Sequence, residues 1–464
     1  MDHYGIHFVA IIGGSVAGSE AANLLANKGY RVVVFDQKKL PYGKIEDGLP
    51  KWHIGLRNKE EELIDLRMSH ENVHFVPEFT LGKNATVEEL LDWGFSVVII
   101  AIGAWFDRSI PIKGIEKYFN KGIIKQNDLV FWFNHKHERS YSGAEYTIIN
   151  NTAIIGGGLA SLDIVKIIMI ELVQKGLKKH LLVDVDLFTL EKAGVTKVLA
   201  EHNTSLAKLN IKACTLFYRR DAKDMPLYER KDNTPEKISQ AKRVSKKLLD
   251  NYLTKYQFNF EPRCIPKAII EENNSLKGMV FQRVEIKDEK LTEIAGDVFN
   301  FRTNLIISSI GSLPKETPGL PMTRNMLKTT GAQGYRVEGL NNVFAIGNVV
   351  TGRGNIYESR KHSRQSTERI IDQHLKPSKE ADLLKLQFEN QFENIKEGVA
   401  KKINNISSSL KKLSPPNKTT IDIILYKTKS MQQAAGFDGN YMQWVKQNLP
   451  IRLEDMLNTK ATKL

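Results

Sequence analysis

Cysteine is scarce in this sequence. The 464 residues contain two cysteines, Cys214 and Cys264, which lie far apart in the chain. Their spacing excludes a CxxC redox pair, and two thiols are too few for a four-thiolate iron–sulfur site or a zinc knuckle. A disulfide between them stays open, but two buried free thiols are the expected state.

Long apolar runs are also missing. No stretch of roughly 18 apolar residues occurs, so no membrane-spanning helix is expected. Residues 1–9 have neither a basic segment nor a long apolar core, and no secretory signal is expected from them. With so few cysteines, these absences favour a cytoplasmic protein.

Acidic residues are too few to balance the basic ones. Lysine and arginine number 67 against 53 acidic residues, which gives a net charge of +14. Such an excess favours an acidic partner, whether a protein, a nucleic acid or an anionic membrane surface. The composition is otherwise ordinary, with 41% hydrophobic residues, and excludes a disordered or collagen-like chain. At about 100–200 residues per domain, the length predicts two to four domains.

A glycine-rich turn joins an apolar stretch to a helical pattern near the start of the chain. Residues 6–12 are apolar, residues 13–18 read GGSVAG, and apolar side chains then recur at helical spacing. Residues 31–36 read RVVVFD, a strand pattern that ends in an acidic residue. This order of strand, turn, helix and strand predicts the βαβ unit that binds a dinucleotide.

Each residue type in this turn has a physical role. Gly13 allows the tight turn, and Gly18 lets the helix pack close to the strand. The helix N-terminus presents free N–H groups to a pyrophosphate. Asp36 is placed to accept hydrogen bonds from ribose hydroxyls. Ser15 stands where the motif has its middle glycine, and its side chain slightly crowds the approach of the pyrophosphate to the turn. A chance glycine-rich turn is the alternative, which the flanking strand, helix and acid disfavour.

A second turn of the same kind follows. Residues 152–155 form a short strand pattern, residues 156–163 read GGGLASLD, and a helix is predicted through about Leu172. Ser161 stands in the place of the third glycine and is small enough for close packing. Two such turns suit a protein that holds two dinucleotides, typically FAD at the first and NAD(P)H at the second.

Three further strand patterns end at a glycine. They cover residues 96–103, 304–311 and 342–347. The first two are expected where the chain crosses between two nucleotide-binding domains. Two unrelated buried strands are the simpler alternative for that pair.

These motifs together resemble the flavoproteins with two dinucleotide-binding domains. More narrowly, they resemble the adrenodoxin reductase type of ferredoxin–NADP reductase and the small subunit of glutamate synthase. The resemblance covers residues 6–375 and includes four segments beyond the first turn: 41–58 (PYGKIEDGLPKWHIGLRN), 156–166 (GGGLASLDIVK), 217–226 (FYRRDAKDMP) and 347–355 (GNVVTGRGN). Departures from the family pattern occur at 159–160, at Asn348 and at 353–355, and they bear on the electron acceptor rather than on the fold.

The resemblance implies a set of site residues. His53 is implied to lie at the flavin, where it orients the nicotinamide or relays protons, although a lone histidine is also a common structural hydrogen-bonder. Whether Glu229 partners His53 stays open. No metal site is implied. The residues implied for FAD are Gly13, Ser15, Ala17, Gly18, Asp36, Gly43, Gly103, Gly347, Asn348, Gly354, Asn355 and Ile356. Those implied for NADP are Gly156, Gly158, Leu159, Ala160, Asp163, Arg219 and Arg220.

Arg219 and Arg220 bear on the choice of nucleotide. They end a predicted strand over residues 213–218, where two guanidinium groups can bind a ribose 2′-phosphate and so favour NADPH. An ordinary basic surface pair is the plainer explanation. Alternatively, residues 181–186 form the strand, and Asp184 or Asp186 then favours NAD.

We therefore expect an α/β protein with two Rossmann-like domains. A discontinuous FAD domain comprises residues 1–120 and 312–375, an NADPH domain comprises residues 121–311, and a basic, mainly helical extension follows over 376–464. The resemblance implies an FAD-dependent NADPH oxidoreductase that passes single electrons to an acidic ferredoxin or flavodoxin. A subunit that feeds electrons to another enzyme, like the glutamate synthase small chain, is the second hypothesis, and the lack of an N-terminal cysteine cluster speaks against it. A non-catalytic nucleotide- or nucleic-acid-binding protein is the third, and no RNA-binding or helix-turn-helix motif supports it.

Overall fold

The structure is a computed structural model. It describes residues 6–228, 234–288, 290–323, 326–330, 335–351 and 380–457. The strands are β1 (Phe8–Ile12), β2 (Arg31–Phe35), β3 (Val73–Val76), β4 (Val97–Ile100), β5 (Phe106–Asp107), β6 (Ile123–Lys125), β7 (Ala153–Gly156), β8 (Thr215–Phe217), β9 (Asn259–Glu261), β10 (Cys264–Glu272), β11 (Ser275–Lys287), β12 (Lys290–Arg302), β13 (Ile306–Ser309), β14 (Ser312–Leu313), β15 (Met322–Thr323), β16 (Met326–Leu327), β17 (Thr329–Thr330), β18 (Arg336–Val337) and β19 (Val343–Ala345).

The helices complete the list of elements. They are α1 (Val16–Ala26), α2 (Lys44–Asp47), α3 (Ile54–Met68), α4 (Val87–Asp92), α5 (Gln126–His135), α6 (Leu159–Leu181), α7 (Leu187–Ala193), α8 (Val195–Glu201), α9 (Pro235–Tyr256), α10 (Asn348–Thr351), α11 (Glu380–Leu410), α12 (Lys418–Ala434), α13 (Tyr441–Asn448) and α14 (Leu453–Met456). Short 3₁₀ turns lie at Ile115–Tyr118 and Ala222–Asp224.

The first sheet has seven strands in the order β17-β18-β19-β4-β1-β2-β3. The five strands from β19 to β3 are parallel, and their apolar side chains are buried on both faces. This is the pattern expected of a parallel sheet covered by helices on both sides. The sheet takes β1–β4 from the N-terminal part of the chain and β17–β19 from residues 329–345.

The second sheet has five parallel strands in the order β6-β13-β7-β8-β9. An antiparallel sheet, β10-β11-β12, packs beside it, and the ring of Phe281 stacks on that of Phe217 at 4.0 Å. The chain crosses between the two parallel sheets through β5 and β14, which pair antiparallel. The strands predicted over residues 96–103 and 304–311 were expected at this crossing. In the structure, the short segments that follow them, β5 and β14, pair with each other.

We call the first sheet with its helices the first unit, and the second sheet with its helices the second unit. Two predictions about the second unit can be compared with the structure. The strand predicted before the arginine pair is confirmed as β8. The alternative strand over 181–186 is wrong, because Leu181 ends α6 and the Asp186 side chain caps α7. The helix predicted to end near Leu172 runs nine residues further, since Val173 and Leu177 continue its buried face.

The C-terminal helices pack onto the first sheet and its helices. Val399, Ile403 and Ile406 of α11 are buried in the same core cluster as α1, and α12 packs near β3. Trp444 of α13 donates from Nε1 to the backbone oxygen of Lys39 at 2.7 Å. The helical character predicted for residues 376–464 is confirmed for the described part, but these helices share the core of the first unit and do not form a separate layer. The limits proposed for the domains stay a prediction.

Both cysteines are buried and free. Cys214 immediately precedes β8, and Cys264 begins β10. The expectation of two buried thiols is confirmed. No helix in the described part of the chain is long and apolar enough to cross a membrane.

Candidate functional site

The first glycine turn lies at the carboxyl end of β1. Gly13 has φ +98°, and a Cβ placed on it would lie 2.7 Å from the backbone oxygen of Ala101, just past β4. A Cβ on Gly18 would lie 1.8 Å from the backbone oxygen of Gly13. A side chain at Gly13 would therefore push the turn away from the loop after β4, and one at Gly18 would push α1 away from the turn. The two glycines bring the N-terminus of α1, with its unpaired N–H groups, to the edge of the sheet.

Asp36 accepts two backbone hydrogen bonds, one of them from the glycine turn. Its Oδ2 accepts from the Gly14 N–H at 2.8 Å, and its Oδ1 accepts from the Lys38 N–H at 2.9 Å. The side chain is buried, and burial raises its pKa to about 6, against the lowering effect of the two backbone N–H groups. Each oxygen keeps a lone pair for a further donor. The carboxylate is thus fixed where ribose hydroxyls could donate to it.

Two other loops close on the N-terminus of α1. A Cβ on Gly43, which has φ +57°, would lie 2.9 Å from both Cβ and Oγ of Ser15. The Ser15 hydroxyl donates to the backbone oxygen of Tyr42 at 2.9 Å. A Cβ on Gly347, after β19, would lie 2.8 Å from Cβ of Ala17. Loops from distant parts of the sequence therefore form one cradle around the turn.

The remaining residues predicted for FAD are divided between this edge and the undescribed part of the chain. Gly103, at φ +68°, follows β4 and lies near the Trp105 indole. Asn348 begins α10, directly after Gly347. Gly354, Asn355 and Ile356 lie outside the described residues, as does Glu229. The described members of the set are thus located in loops that follow β1, β2, β4 and β19, the neighbouring parallel strands of the first sheet.

The second glycine turn lies between β7 and α6. A Cβ on Gly156 would lie 2.3 Å from the backbone oxygen of Ser309, and one on Gly157 would lie 2.1 Å from the Tyr218 ring. Around a Cβ on Gly158 there is nothing within 4 Å. Leu159 and Ala160 are the first residues of α6. One side of the turn is therefore packed against the sheet, and the side at Gly158 is open.

Arg219 and Arg220 lie beside this second turn. They follow β8, which neighbours β7, and the preceding Tyr218 ring packs against Gly157. Arg219 is exposed. Asp221 forms a two-bond ion pair with Arg263, at 2.6 and 3.0 Å, which holds the loop after β8. The arginine pair is thus held close to the place where the ribose of a bound dinucleotide is expected.

His53 lies in a buried cluster that joins the two units. Its Nε2 is 3.4 Å from Oδ2 of Asp163 on α6, and its side chain is 9% exposed. The ring of Phe388 from α11 meets the His53 ring edge-on at 5.0 Å. Among the described residues, neither Oδ1 of Asp163 nor Nε1 of Trp52 has a hydrogen-bond partner. Asp163, predicted from the motif as a nucleotide contact, is therefore placed to hold His53.

A lysine completes this cluster. Lys166 is fully buried, donates to Oε1 of Glu191 at 2.6 Å, and lies 4.4 Å from the centre of the Trp52 ring. Burial is the largest single influence on Glu191 and acts to raise its pKa. The charge and hydrogen bond of Lys166, together with the charge of Lys255, nevertheless hold that pKa low. The cluster therefore brings charged side chains together in a buried position at the junction between the units.

Sequence reasoning missed two features at these sites. One is Lys44, which lies next to Gly43 and reaches the crossing strands, where Nζ is 3.2 Å from Oγ of Ser312. The other is Phe388, which comes from the C-terminal helices. No local pattern marks either residue, because each contact joins segments more than 200 residues apart. Among the described residues, no group of three histidine, cysteine or acidic side chains is arranged to hold a metal ion.

Residues 7–206 match the family described as pyridine nucleotide-disulphide oxidoreductase. The resemblance inferred from the motifs is thereby confirmed. The cindoxin reductase of Citrobacter braakii is 30% identical over 166 residues, which are 34% of this chain and 34% of that protein. The glutamate synthase [NADPH] small chain of Mycobacterium tuberculosis is 29% identical over 130 residues, or 28% of this chain and 25% of that one. The matches thus span about a third or less of these curated relatives.

A solved structure extends the likeness over most of the chain. Mycobacterium tuberculosis FprA in complex with NADPH superposes with a TM-score of 0.62, covering 92% of this chain and 91% of FprA, at 16% identity. This likeness shows the fold, and the α/β architecture predicted from the sequence is confirmed by it. The C-terminal helices fall largely within the shared fold, because the covered part exceeds the region where sequence motifs were recognised.

Proposed function

We propose that this protein is an FAD-dependent NADPH oxidoreductase that delivers electrons to a small carrier protein. The observation that supports the proposal best is the pair of glycine turns, each at the carboxyl edge of its own parallel sheet and each followed by a helix N-terminus. The strands β5 and β14 join the sheets, so two dinucleotides bound at these edges would meet near the crossing.

The residues of the first site fit FAD. The N–H groups at the start of α1 suit its pyrophosphate, Asp36 suits its ribose, and the close approach of Gly43 and Gly347 leaves no side chain in the way. The second site suits NADPH, since Gly158 opens beside the α6 N-terminus and Arg219 and Arg220 are near enough to bind a 2′-phosphate. Bound FAD would supply the redox chemistry, because a flavin accepts a hydride and can release electrons singly.

In this proposal, His53 is a positioning residue. Asp163 orients its ring through Nε2, and the Phe388 ring shields it from water. A hydride transfer needs no general base, so His53 would orient the nicotinamide or pass a proton after electrons have left the flavin. Its loop is continuous with α3, which places it in the first unit, whereas Asp163 belongs to the second.

The names of related proteins support the choice of acceptor. The related proteins include a probable ferredoxin/ferredoxin–NADP reductase of Mycobacterium leprae, 30% identical over 161 residues, and the cindoxin reductase already described. A ferredoxin- or flavodoxin-like carrier is therefore proposed for this chain as well. A subunit that feeds another enzyme, like the glutamate synthase small chain, is the second candidate, supported by the 130-residue match to that protein. We place the reaction in the cytoplasm.

A positively charged reductase attracts an acidic carrier, and salt weakens that attraction. The net charge of +14 supports such steering. On α9, Lys242 and Lys246 are about half-exposed, although each is within ion-pair distance of an acid, Asp224 at 3.7 Å and Asp250 at 2.6 Å. The docking face is therefore not assigned to α9 alone. The residues near Arg353, which are the other candidates, lie outside the described residues.

The experiment compares two acceptors across a range of salt. Ferredoxin-linked cytochrome c reduction should fall steeply between about 20 and 300 mM salt, as the Debye length shrinks from roughly 20 Å to about 6 Å. Reduction of a small neutral dye by NADPH should fall much less. Parallel loss in both assays would mean that salt acts on NADPH binding, and the acidic carrier would lose its support. Activity with the dye but with no carrier protein at low salt would favour the electron-feeding subunit.

A further inference from the structure

Lys44 is a lysine at the point where the chain crosses between the two sheets. It begins α2, directly after Gly43, and its Nζ donates to Oγ of Ser312 on β14 at 3.2 Å. The ammonium also lies 5.5 Å from the centre of the Trp105 ring. Burial lowers the pKa of Lys44 to about 8, and Asp107 acts in the opposite direction. Lys44 therefore keeps its positive charge at neutral pH, in surroundings that hold little water.

Among the residues that the structure describes, the Lys44 ammonium reaches an acid only indirectly. Among the described residues, no carboxylate oxygen lies within 4.0 Å of Nζ of Lys44. The nearest acid, Asp107, is reached through Ser312, whose hydroxyl donates to Oδ1 of Asp107 at 3.1 Å. Oδ2 of Asp107 already accepts from the Asn127 N–H at 2.8 Å. The positive charge of Lys44 is therefore only partly offset, and a neighbouring ligand would feel it.

The order of the strands shows which part of a bound FAD would lie near Lys44. Asp36 follows β2 and suits the adenosine ribose, and the turn after β1 suits the pyrophosphate. A dinucleotide that lies along this edge then extends over the loops that follow β4 and β19. Trp105 is two residues past Gly103 in the loop after β4. Because Lys44 packs against Trp105, it faces the flavin half of the molecule and not the adenine half.

We propose that Lys44 places a positive charge beside the flavin ring and raises the reduction potential of the bound FAD. The inference rests on the proposed function, since it requires FAD at the first site. NADPH supplies a hydride, so that its carbon–hydrogen bond breaks, two electrons and the hydrogen pass to the flavin, and NADP⁺ leaves. The flavin gains negative charge in this step, and a fixed positive charge in a water-poor site stabilises it.

A second lysine adjoins the same aromatic ring. Lys38 lies 5.9 Å from the centre of the Trp105 ring, but it forms an ion pair with Asp47. That pair is close to neutral as a unit, so its effect on the ring is smaller than that of Lys44. Replacing Lys44 alone therefore removes the main uncompensated charge at this side of the site.

The test measures the midpoint potential of the bound flavin in three variants. Lys44→Met keeps the length of the side chain without its charge, Lys44→Arg keeps the charge, and Lys117→Met is the matched control, because Lys117 is exposed and pairs with Glu271. The potential is measured by reductive titration against a reference dye at pH 7. Lys44→Met should bind FAD and show an equilibrium constant for reduction about tenfold lower, equal to about 30 mV for a two-electron couple.

The results distinguish a failure of the role of Lys44 from a failure of the proposed function. Lys44→Arg and Lys117→Met should keep the wild-type potential. If Lys44→Met does not hold FAD, the neutral Lys44→Gln variant replaces it with the same expected shift. A neutral variant that binds FAD at the wild-type potential overturns the role of Lys44 and leaves the proposed function intact. Wild-type protein that binds no FAD overturns the proposed function itself.

Discussion

Arg452 connects the end of the described chain to the first unit through buried ion pairs. Its guanidinium contacts Glu46 of α2, and its Nη2 donates to Oε1 of Glu61 of α3 at 2.8 Å. Its side chain is 10% exposed. Burial acts to raise the pKa of both glutamates. The pKa of Glu46 is nevertheless lowered, because Arg452, a hydrogen bond with Glu61 and the charge of Arg57 together exceed the effect of burial. The pKa of Glu61 is raised to about 8 by burial, with Arg452 opposing.

Arg452→Ala leaves the ionised Glu46 buried without its main partner. Breaking a buried ion pair in this way costs about 3–5 kcal/mol. For a unit of 150–250 residues, that corresponds to a fall of roughly 6–20 °C in the unfolding midpoint. The protein has more than one unit and need not unfold in two states, so midpoints measured by circular dichroism are compared rather than extrapolated free energies.

Two further variants test whether the fall in the unfolding midpoint comes from the buried ion pair. Arg452→Ala with Glu46→Gln removes the charge together with its partner and should recover much of the lost midpoint. Arg302→Ala removes an exposed ion pair to Glu272 and should change the midpoint little. If Arg452→Ala unfolds at the same temperature as Arg302→Ala, the C-terminal segment does not dock as described.

Two more predictions concern the nucleotide sites. Because the pKa of Asp36 rises from 3.8 to about 6 on folding, its favourable contribution to the FAD-free protein is present below about pH 4 and lost as the pH rises through 6. Asp36→Asn leaves one of the two backbone N–H groups without an acceptor, but it does not titrate. Between pH 4 and 7 the FAD-free wild-type protein should therefore lose at most about 3 kcal/mol of stability relative to the variant, and the variant should retain FAD poorly. A stability difference between the two proteins that does not change with pH would contradict this prediction. Replacing Arg219 and Arg220 by alanine should weaken NADPH binding by about 1.5–3 kcal/mol per charged hydrogen bond lost. Equilibrium titrations should show unchanged NADH binding, and an equal loss for both nucleotides would mean that the 2′-phosphate binds elsewhere.

Local sequence signals predicted the two glycine turns and the strands beside them well. Gly18 contacts Gly13, only five residues earlier in the chain. Asp36 directly follows β2, which lies next to β1, and it bonds to the Gly14 N–H. The strand before Arg219 was predicted correctly as well, because an apolar run followed by polar residues is a local pattern. Such features can be recognised without knowing the rest of the fold.

Contacts between distant segments could not be predicted in this way. Arg57 pairs with Glu454 almost 400 residues later, and the His53 ring meets Phe388 from α11. Lys44 resembles any surface lysine in the sequence, and only the crossing of β5 and β14 puts it against Trp105. These contacts depend on where whole elements pack, which neither periodicity nor spacing reports.

The central claim is that one chain holds FAD at the first site and accepts hydride from NADPH at the second. Anaerobic stopped-flow mixing of the purified protein with NADPH or NADH, followed through the visible flavin absorbance, tests it most directly. We predict about one FAD per chain, rapid bleaching with NADPH and much slower bleaching with NADH at equal concentration. A colourless protein, or a bound flavin that NADPH does not reduce, would contradict the account.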